Sequence, residues 1–182
     1  YILSFFYGAD TMKKLSPLAQ KLLGVLAQNE GRKSGLKQLL PEHVILAMMK
    51  YCNGIGFLAA NEFNLNFKNL INSLETFIGV NETSEVYEEL PEGRRLISMQ
   101  EIAEIESDAL HNDYIGTEHL FLASVREEGS LTNQFFSKNG VMLSDVRKKV
   151  ADIQKQGFSS IQNPIIDEDS ILNEMYKSSG IK

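Results

Sequence analysis

The sequence predicts an all-α domain of about eight helices, arranged as two pseudo-twofold-related four-helix copies. One observation is a repeat: PEHVILAMM begins at Pro41 and TEHLFLASV begins at Thr117, 76 residues later. A second is that apolar residues recur at helical spacing through both copies. A third is that no useful length of chain alternates as a β-strand would. Because a fixed internal period indicates repeated architecture, we expect the two copies to pack as one domain.

The helices of the first copy have recognisable starts and stops. Ser16-Pro17 predicts an N-cap followed by proline at the first helical position, and Gly31–Gly35 is predicted to end that helix. Pro41 begins a second helix, whose residues 44–49 are apolar all round and are expected to be buried at the centre. Gly54 and Gly56 predict a turn before two further helices. Those two helices carry Phe57, Leu58, Ala60, Leu70, Ile71, Leu74 and Phe77.

The second copy repeats this order. Thr117 is predicted to cap the buried helix over 120–125, and Gly129 is predicted to end it. Ser144 is predicted to cap the last helix. The first, third and last helices carry the apolar residues Met99, Ile102, Ile105, Ala109, Phe135, Phe136, Val146, Val150 and Ile153.

Changes of composition give the predicted boundaries. Residues 1–11 precede Met12 and are interpreted as a tag or an N-terminal extension. The domain is expected over 12–153, with copy one at 13–78 and copy two at 92–153. Residues 154–182 become rich in Ser, Asn, Asp, Gly and Pro, which is typical of a linker.

Composition excludes several classes of function. No apolar run approaches the roughly 18–20 residues of a membrane span, and a net charge of −6 argues against a nucleic-acid surface. The single cysteine, Cys52, cannot form an internal disulfide, so we expect a reducing compartment. A buried, inert thiol is its simplest interpretation.

Acidic charge is concentrated between Glu82 and Asp113, where ten acidic residues stand against two arginines. Such a cluster is often a solvated face. It could also dock a basic partner, since like-signed clusters steer oppositely charged ligands. The candidate residues for such docking are Glu85, Glu88, Glu89, Glu92, Arg94 and Arg95.

Motifs for catalysis or metal binding are not found. His43 and His119 occupy equivalent places at the starts of the buried helices, without a second ligand at helical spacing, so a structural role is expected. Gly31-Arg32-Lys33-Ser34 does not match a phosphate-binding loop, because the glycine of that loop directly precedes the lysine. We therefore expect no catalytic residue, no metal site and no enzyme activity in this chain.

Several motifs together resemble a known family. They are Leu15-Ser16-Pro17, Pro41-Glu42-His43, YIGTEHL from Tyr114, VREEG from Val125, and Asn139-Gly140-Val141. This pattern resembles the double Clp repeat, the N-terminal domain of the ClpA, ClpB and ClpC types of protein-unfolding ATPase. The likeness covers about residues 13–153 and is more specific in the second copy.

The resemblance implies a recognition domain tethered to an ATPase ring. Such a domain captures protein substrates and adaptors, whereas ATP, Mg²⁺ and the Clp protease engage the rest of the full-length protein. The fragment is expected to need no cofactor, to be monomeric, and to work in the cytoplasm or, if organellar, the stroma. By the same resemblance, residues 154–182 lead toward a missing ATPase module.

The ClpC-like branch of the family reads phosphoarginine with the glutamate of each Thr-Glu-His motif. Carried over, these positions are Glu42 and Glu118, with Thr117 as a neighbour. Since Pro41 replaces the threonine of the first motif, the second site is expected to be the better one. Both glutamates have a plainer explanation, which is that they stabilise the first turn of a helix through its dipole.

Two alternatives to a Clp ATPase N-domain remain open at this point. One is a free-standing double-Clp protein that regulates a Clp protease, which the full reading frame would distinguish. The other is an enzyme that uses His119, Glu118 or Cys52. In the leading interpretation, binding uses an apolar groove between the copies together with the acidic segment.

Overall fold

The computed structural model describes residues 12–79 and 89–157, and these form an all-α domain, as predicted. The helices of copy one are α1 (Pro17–Lys21), a π-helical segment (Leu22–Leu26), α2 (Ala27–Ser34), α3 (Pro41–Tyr51), α4 (Ile55–Asn61) and α5 (Phe67–Ile78). The helices of copy two are α6 (Arg94–Ala109), α7 (Thr117–Arg126), α8 (Leu131–Lys138) and α9 (Leu143–Lys155). Because α1, the π-helical segment and α2 run on without a break, the described residues form eight helical rods.

The equivalent helices α3 and α7 form the centre of the core. Residues 44–49 and 120–125 are all buried, which agrees with their apolar sequence. Phe136 of α8 closes the core by packing edge-on against Phe121 of α7, with ring centroids 5.5 Å apart. It also contacts Phe67 of α5, so one ring joins both copies.

The chain segments that lead into the helices cross between the copies. Leu15, before α1, forms a parallel β-bridge with Ile115, before α7, and Leu39, before α3, forms one with Glu92, before α6. These bridges are isolated, and no strand occurs in the described ranges. The first residues of each copy are therefore paired with the backbone of the other copy.

Next to each of these bridges lies a further hydrogen-bonded contact between the copies. Gln28 exchanges two hydrogen bonds of 2.9 Å with the backbone of Leu90. At the equivalent place in copy two, the Lys13 N–H donates to Glu104 Oε1 at 2.7 Å. Since burial makes such backbone pairing necessary, these contacts fix how the copies sit together.

Helix α4 of copy one packs against α7 and α9 of copy two. Its close approach requires glycine: a Cβ at Gly56 would lie 2.8 Å from the Thr117 carbonyl oxygen, and one at Gly54 would lie 2.3 Å from Thr117 Oγ1. The predicted turn at these glycines is therefore partly wrong, since Gly56 lies inside the first turn of α4.

Some predicted helix ends are also wrong. Ser16 caps α1 as expected, accepting from the Ala19 N–H at 3.2 Å. The first helix ends within the predicted segment Gly31–Gly35, since it continues to Ser34 and stops at Gly35 in the left-handed conformation. The last helix starts at Leu143 rather than after Ser144, because Asp145 Oδ2 accepts from the Met142 N–H at 2.8 Å.

The limits of the domain differ slightly from the predicted ones. Helix α9 continues to Lys155, two residues beyond the predicted boundary at 153. Two of the apolar residues at helical spacing are largely exposed, Phe77 at 54% and Ile105 at 51%. The predictions for residues 1–11 and for the linker from residue 158 lie outside the described residues.

Within the described ranges, no single helix is long and apolar enough to cross a membrane; α3 and α4 pass that test only when taken together, and they are bent by 76°.

Candidate functional site

The two buried histidines cap the central helices in the same way. His43 Nδ1 accepts from the Leu40 N–H at 2.9 Å, and His119 Nδ1 accepts from the Gly116 N–H at 2.8 Å. Because Nδ1 accepts, the proton of each neutral ring is on Nε2. That nitrogen lies 2.9 Å from Ser34 Oγ in His43 and 2.8 Å from Asn112 Oδ1 in His119.

Burial lowers the pKa of both histidines to about 4. Both rings are thus neutral near pH 7, and all four ring nitrogens have partners. This geometry supports the expected structural role. Thr117 was predicted to be the N-cap of α7, but Gly116 holds that position, and the His119 ring accepts from the Gly116 N–H.

Glu42 follows Pro41 at the start of α3 and is only 5% exposed. Its Oε1 accepts from Arg95 Nη1 at 2.8 Å. Its Oε2 is buried and has no hydrogen-bond partner among the described residues. One oxygen of this carboxylate is therefore satisfied by the other copy, and the second oxygen is left over.

Arg95 lies in the first turn of α6 and is shared between two carboxylates. Its Nε donates to Glu127 Oε1 at 2.9 Å, while its Nη1 donates to Glu42. The hydrogen bond to Glu127, together with the one to Glu42, outweighs burial and raises the pKa of Arg95. Arg95 was predicted to belong to an adaptor-binding surface; it is 42% exposed, and it also bridges the copies through Glu42.

Glu118, the equivalent of Glu42, has no solvent exposure. Its Oε1 accepts from Gln154 Nε2 at 3.1 Å. Gln154 Nε2 also lies 2.9 Å from Asn112 Oδ1, which is the partner of His119. Glu118 therefore belongs to a buried hydrogen-bond network that also includes the partner of His119.

Thr117 does not offer its hydroxyl to this second site. The side chain is fully buried, and Oγ1 accepts from the Gly56 N–H at 3.4 Å. The predicted contact of Thr117 with a ligand therefore has no support in this conformation, because α4 covers the hydroxyl.

Two helix N-termini meet at each site because of the crossing entry segments. The bridge from Leu39 to Glu92 brings the starts of α3 and α6 together beside Glu42. The bridge from Leu15 to Ile115 does the same for α1 and α7 beside Glu118. Helix N-termini carry partial positive charge and unpaired N–H groups, so both places favour anionic groups.

A second pair of equivalent glutamates lies deeper in the domain. Glu106 is fully buried and accepts three hydrogen bonds, one of 3.0 Å from Arg126 and two, of 2.7 and 2.8 Å, from Arg147. Burial alone would raise the pKa of Glu106, but the two arginines outweigh it and lower the pKa. Glu30, 76 residues earlier, has Lys33 at 3.2 Å and Lys50 at 3.7 Å.

The predicted acidic docking surface is only partly observed. Glu89, Glu92 and Arg94 are exposed, whereas Glu85 and Glu88 lie outside the described residues. Glu106 does not add charge to this surface, since it is fully buried and pairs with two arginines. Asp108 is 64% exposed and pairs with Lys13, so part of its surface charge is balanced.

A cleft lies between the copies where α5 meets α8. It encloses about 260 Å³ and combines an apolar floor with amide side chains. Its lining residues are Asn69, Leu70, Ser73, Leu131, Gln134, Phe135, Lys138 and Asn139. No group of three metal-ligating side chains was found among the residues that the structure describes.

The sequence reasoning missed the partners of the glutamates. Arg95 is 53 residues from Glu42, and Gln154 is 36 residues from Glu118. One signal was available: Glu30 and Glu106 are 76 residues apart, and so are Lys50 and Arg126. That coincidence of charge at the repeat spacing predicts two equivalent buried ion pairs.

Comparison with known proteins agrees with this architecture. Residues 14–139 match the family model of the Clp repeat N-terminal domain. The chain is 29% identical over 136 residues to the negative regulator of genetic competence ClpC/MecB of Bacillus subtilis, which covers 74% of this chain and 16% of that protein. It is 26% identical over 153 residues to the ClpA homolog of Trieres chinensis, an ATP-binding subunit of the ATP-dependent Clp protease, covering 84% of this chain and 17% of that protein.

Solved structures show the same fold. The Hsp104 N-terminal domain of Candida albicans has a TM-score of 0.62 at 13% identity, covering 86% of this chain and all of that one. The N-terminal domain of ClpD from Arabidopsis thaliana has a TM-score of 0.57 at 13% identity, covering 82% and 99%. The chain spans about a sixth of the length of the curated relatives that it matches. Because the family model covers well over half of the chain, this protein belongs to the Clp repeat N-terminal domain family.

Proposed function

We propose that this domain recognises protein substrates and adaptors for a Clp ATPase that unfolds proteins for degradation or disaggregation. The observation that carries the proposal is Glu42, a buried carboxylate with one unpartnered oxygen among the described residues, beside two helix N-termini. Such a place has the chemistry to hold a group that is both cationic and anionic.

A phosphorylated arginine side chain has that chemistry. A carboxylate takes a guanidinium in charge-assisted, bidentate hydrogen bonds, and helix N-termini favour phosphate. We therefore propose Glu42 as the main contact for phosphoarginine and Glu118 as the secondary one. This reverses the order predicted from the Thr-Glu-His motif, because Glu118 is already in a closed network with Gln154.

The wider context is also a proposal. ATP and Mg²⁺ would bind the ATPase modules of the full-length protein, which would form the ring that engages a Clp protease, in the cytoplasm or the stroma. The exposed residues Glu89, Glu92 and Arg94 would contribute to adaptor binding.

Calorimetric titrations of the domain with an unfolded protein, an adaptor and a phosphoarginine peptide test this proposal. We expect binding in at least the unfolded-protein or adaptor titration, and loss of the peptide signal in Glu42→Gln. Glu92→Gln is the matched control, because it removes an exposed charge nearby. Absence of binding in all three titrations would overturn the proposed function.

A further inference from the structure

The Glu42 carboxylate is held by an arginine that belongs to the protein itself. Arg95 Nη1 occupies Oε1, while the buried Oε2 meets no donor within the described ranges. Buried polar atoms nearly always have a hydrogen-bond partner, so the exception at Oε2 needs an explanation. A ligand that brings two donors to Glu42 would explain it, because one of those donors would bind Oε2.

Arg95 divides its donors between two carboxylates. One donor goes to Glu42 and another to Glu127, although the guanidinium fork is shaped to bind a single carboxylate with two. The side chains of Arg95 and Glu127 are 42% and 28% exposed, so both have room to move, whereas Glu42 does not. Arg95 can therefore leave Glu42 without losing its other partner.

We propose that Arg95 is a built-in occupant of the guanidinium site at Glu42, which a ligand displaces onto Glu127. The inference rests on the proposed function, because it concerns the same site. The incoming guanidinium then pairs with both oxygens of Glu42, and no buried carboxylate oxygen is left over.

Selectivity follows from the displaced charge. After displacement, Arg95 remains beside the ligand as a cation on Glu127. It repels a bare guanidinium and attracts a phosphoryl group attached to one. Arg95 is thus a specificity-determining residue that favours phosphoarginine over arginine at the first copy.

The second copy provides a contrast within the same molecule. There Gln154 of α9 donates to Glu118 at 3.1 Å, and it belongs to the same copy as the carboxylate. Arg95 instead reaches Glu42 from the other copy. The displacement we propose therefore concerns the first site.

The test is an NMR titration of the domain with N-acetyl-arginine amide and its phosphorylated form. Arg95→Gln should increase the affinity for N-acetyl-arginine amide roughly fivefold, which corresponds to the free energy of a partly exposed ion pair. It should also lower the ratio of the affinity for the phosphorylated ligand to that for the unphosphorylated one. Lys37→Gln is the control, because it removes an exposed positive charge from a residue outside the proposed binding residues. It should leave both affinities unchanged.

A second variant guards against an effect of misfolding. Glu127→Gln removes the place to which Arg95 retreats, so it should weaken the binding of both ligands. Opposite changes in Arg95→Gln and Glu127→Gln cannot both come from a destabilised domain. If Arg95→Gln binds both ligands as the wild type does, or if neither the wild type nor any variant binds either ligand, the inference is overturned. The proposed function stands or falls separately, on binding of unfolded protein by the same samples.

Discussion

The two copies share one scaffold but satisfy their buried carboxylates differently. In copy two, Glu106 accepts three short hydrogen bonds from two arginines, and Glu118 lies in a closed amide network. In copy one, Glu30 has only lysines, and Glu42 keeps an oxygen without a partner in the described part of the chain.

The difference comes from a few substitutions at equivalent positions. Arg126 corresponds to Lys50, and Arg147 corresponds to the apolar Ile71. An arginine fork saturates a carboxylate, whereas an ammonium group is a point charge that leaves it partly open. The deep carboxylate of copy two is therefore held by two arginine forks, whereas that of copy one is held by ammonium groups.

Removing each of the deep carboxylates, Glu106 and Glu30, should give the largest difference in stability between the two copies. Glu106→Gln removes the charge that accepts three hydrogen bonds from two arginines, and we expect a loss of about 2 to 3 kcal/mol of unfolding free energy, since the arginines are 40% and 38% exposed and stay partly hydrated. Glu30→Gln should cost only about 1 kcal/mol, because it weakens one hydrogen bond, from Lys33 at 3.2 Å, and Lys50 keeps Glu75 at 2.6 Å. Urea unfolding of both variants measures this, and equal losses would refute the contrast.

Acidification should act on both copies alike. Since burial lowers the folded-state pKa of His43 and His119 to about 4, the unfolded chain binds more protons between pH 6.5 and pH 4. The stability is therefore complete above pH 6.5 and is lost as the pH falls toward 4, by roughly 2 to 3 kcal/mol for each ring. NMR titration of the two imidazoles checks the pKa values, and a ring that titrates near 6.5 would contradict the capping geometry.

The contact between α4 and copy two gives a smaller effect with a matched control. Gly56→Ala forces a Cβ to within 2.8 Å of the Thr117 carbonyl oxygen, so we expect a loss of about 1 to 3 kcal/mol. Gly24→Ala makes the same chemical change where nothing lies within 4 Å, and it should stabilise the helix by up to about 1 kcal/mol. Thermal melts of the two variants should therefore shift in opposite directions. A shift in the same direction would mean that the approach of α4 is not tight.

Much of the fold could be predicted because local sequence patterns determine it. The 76-residue repeat, the proline starts and the helical spacing of apolar residues predicted the eight helical rods. Helix ends were harder, because Thr117 and Ser144 have the side chains of N-caps although Gly116 and Met142 hold those positions. The His119 ring accepts from the Gly116 N–H, and the Asp145 carboxylate accepts from the Met142 N–H.

The candidate site was predicted only in part, because its partners come from the other copy. The sequence identified Glu42 and Glu118, but nothing local links Glu42 to Arg95 or Glu118 to Gln154. Ranking by motif favoured the intact Thr-Glu-His, whereas the carboxylate with an unpartnered oxygen is the one after Pro41. A motif records residue types, while the capacity to bind depends on which atoms are already satisfied.

The most direct test of this asymmetry is an NMR titration of the domain with phosphoarginine, repeated on Glu42→Gln and Glu118→Gln. The account predicts that the strongest shifts occur at the starts of α3 and α6, and that Glu42→Gln abolishes them while Glu118→Gln leaves them in place. Shifts confined to the starts of α1 and α7, and lost only in Glu118→Gln, would contradict it.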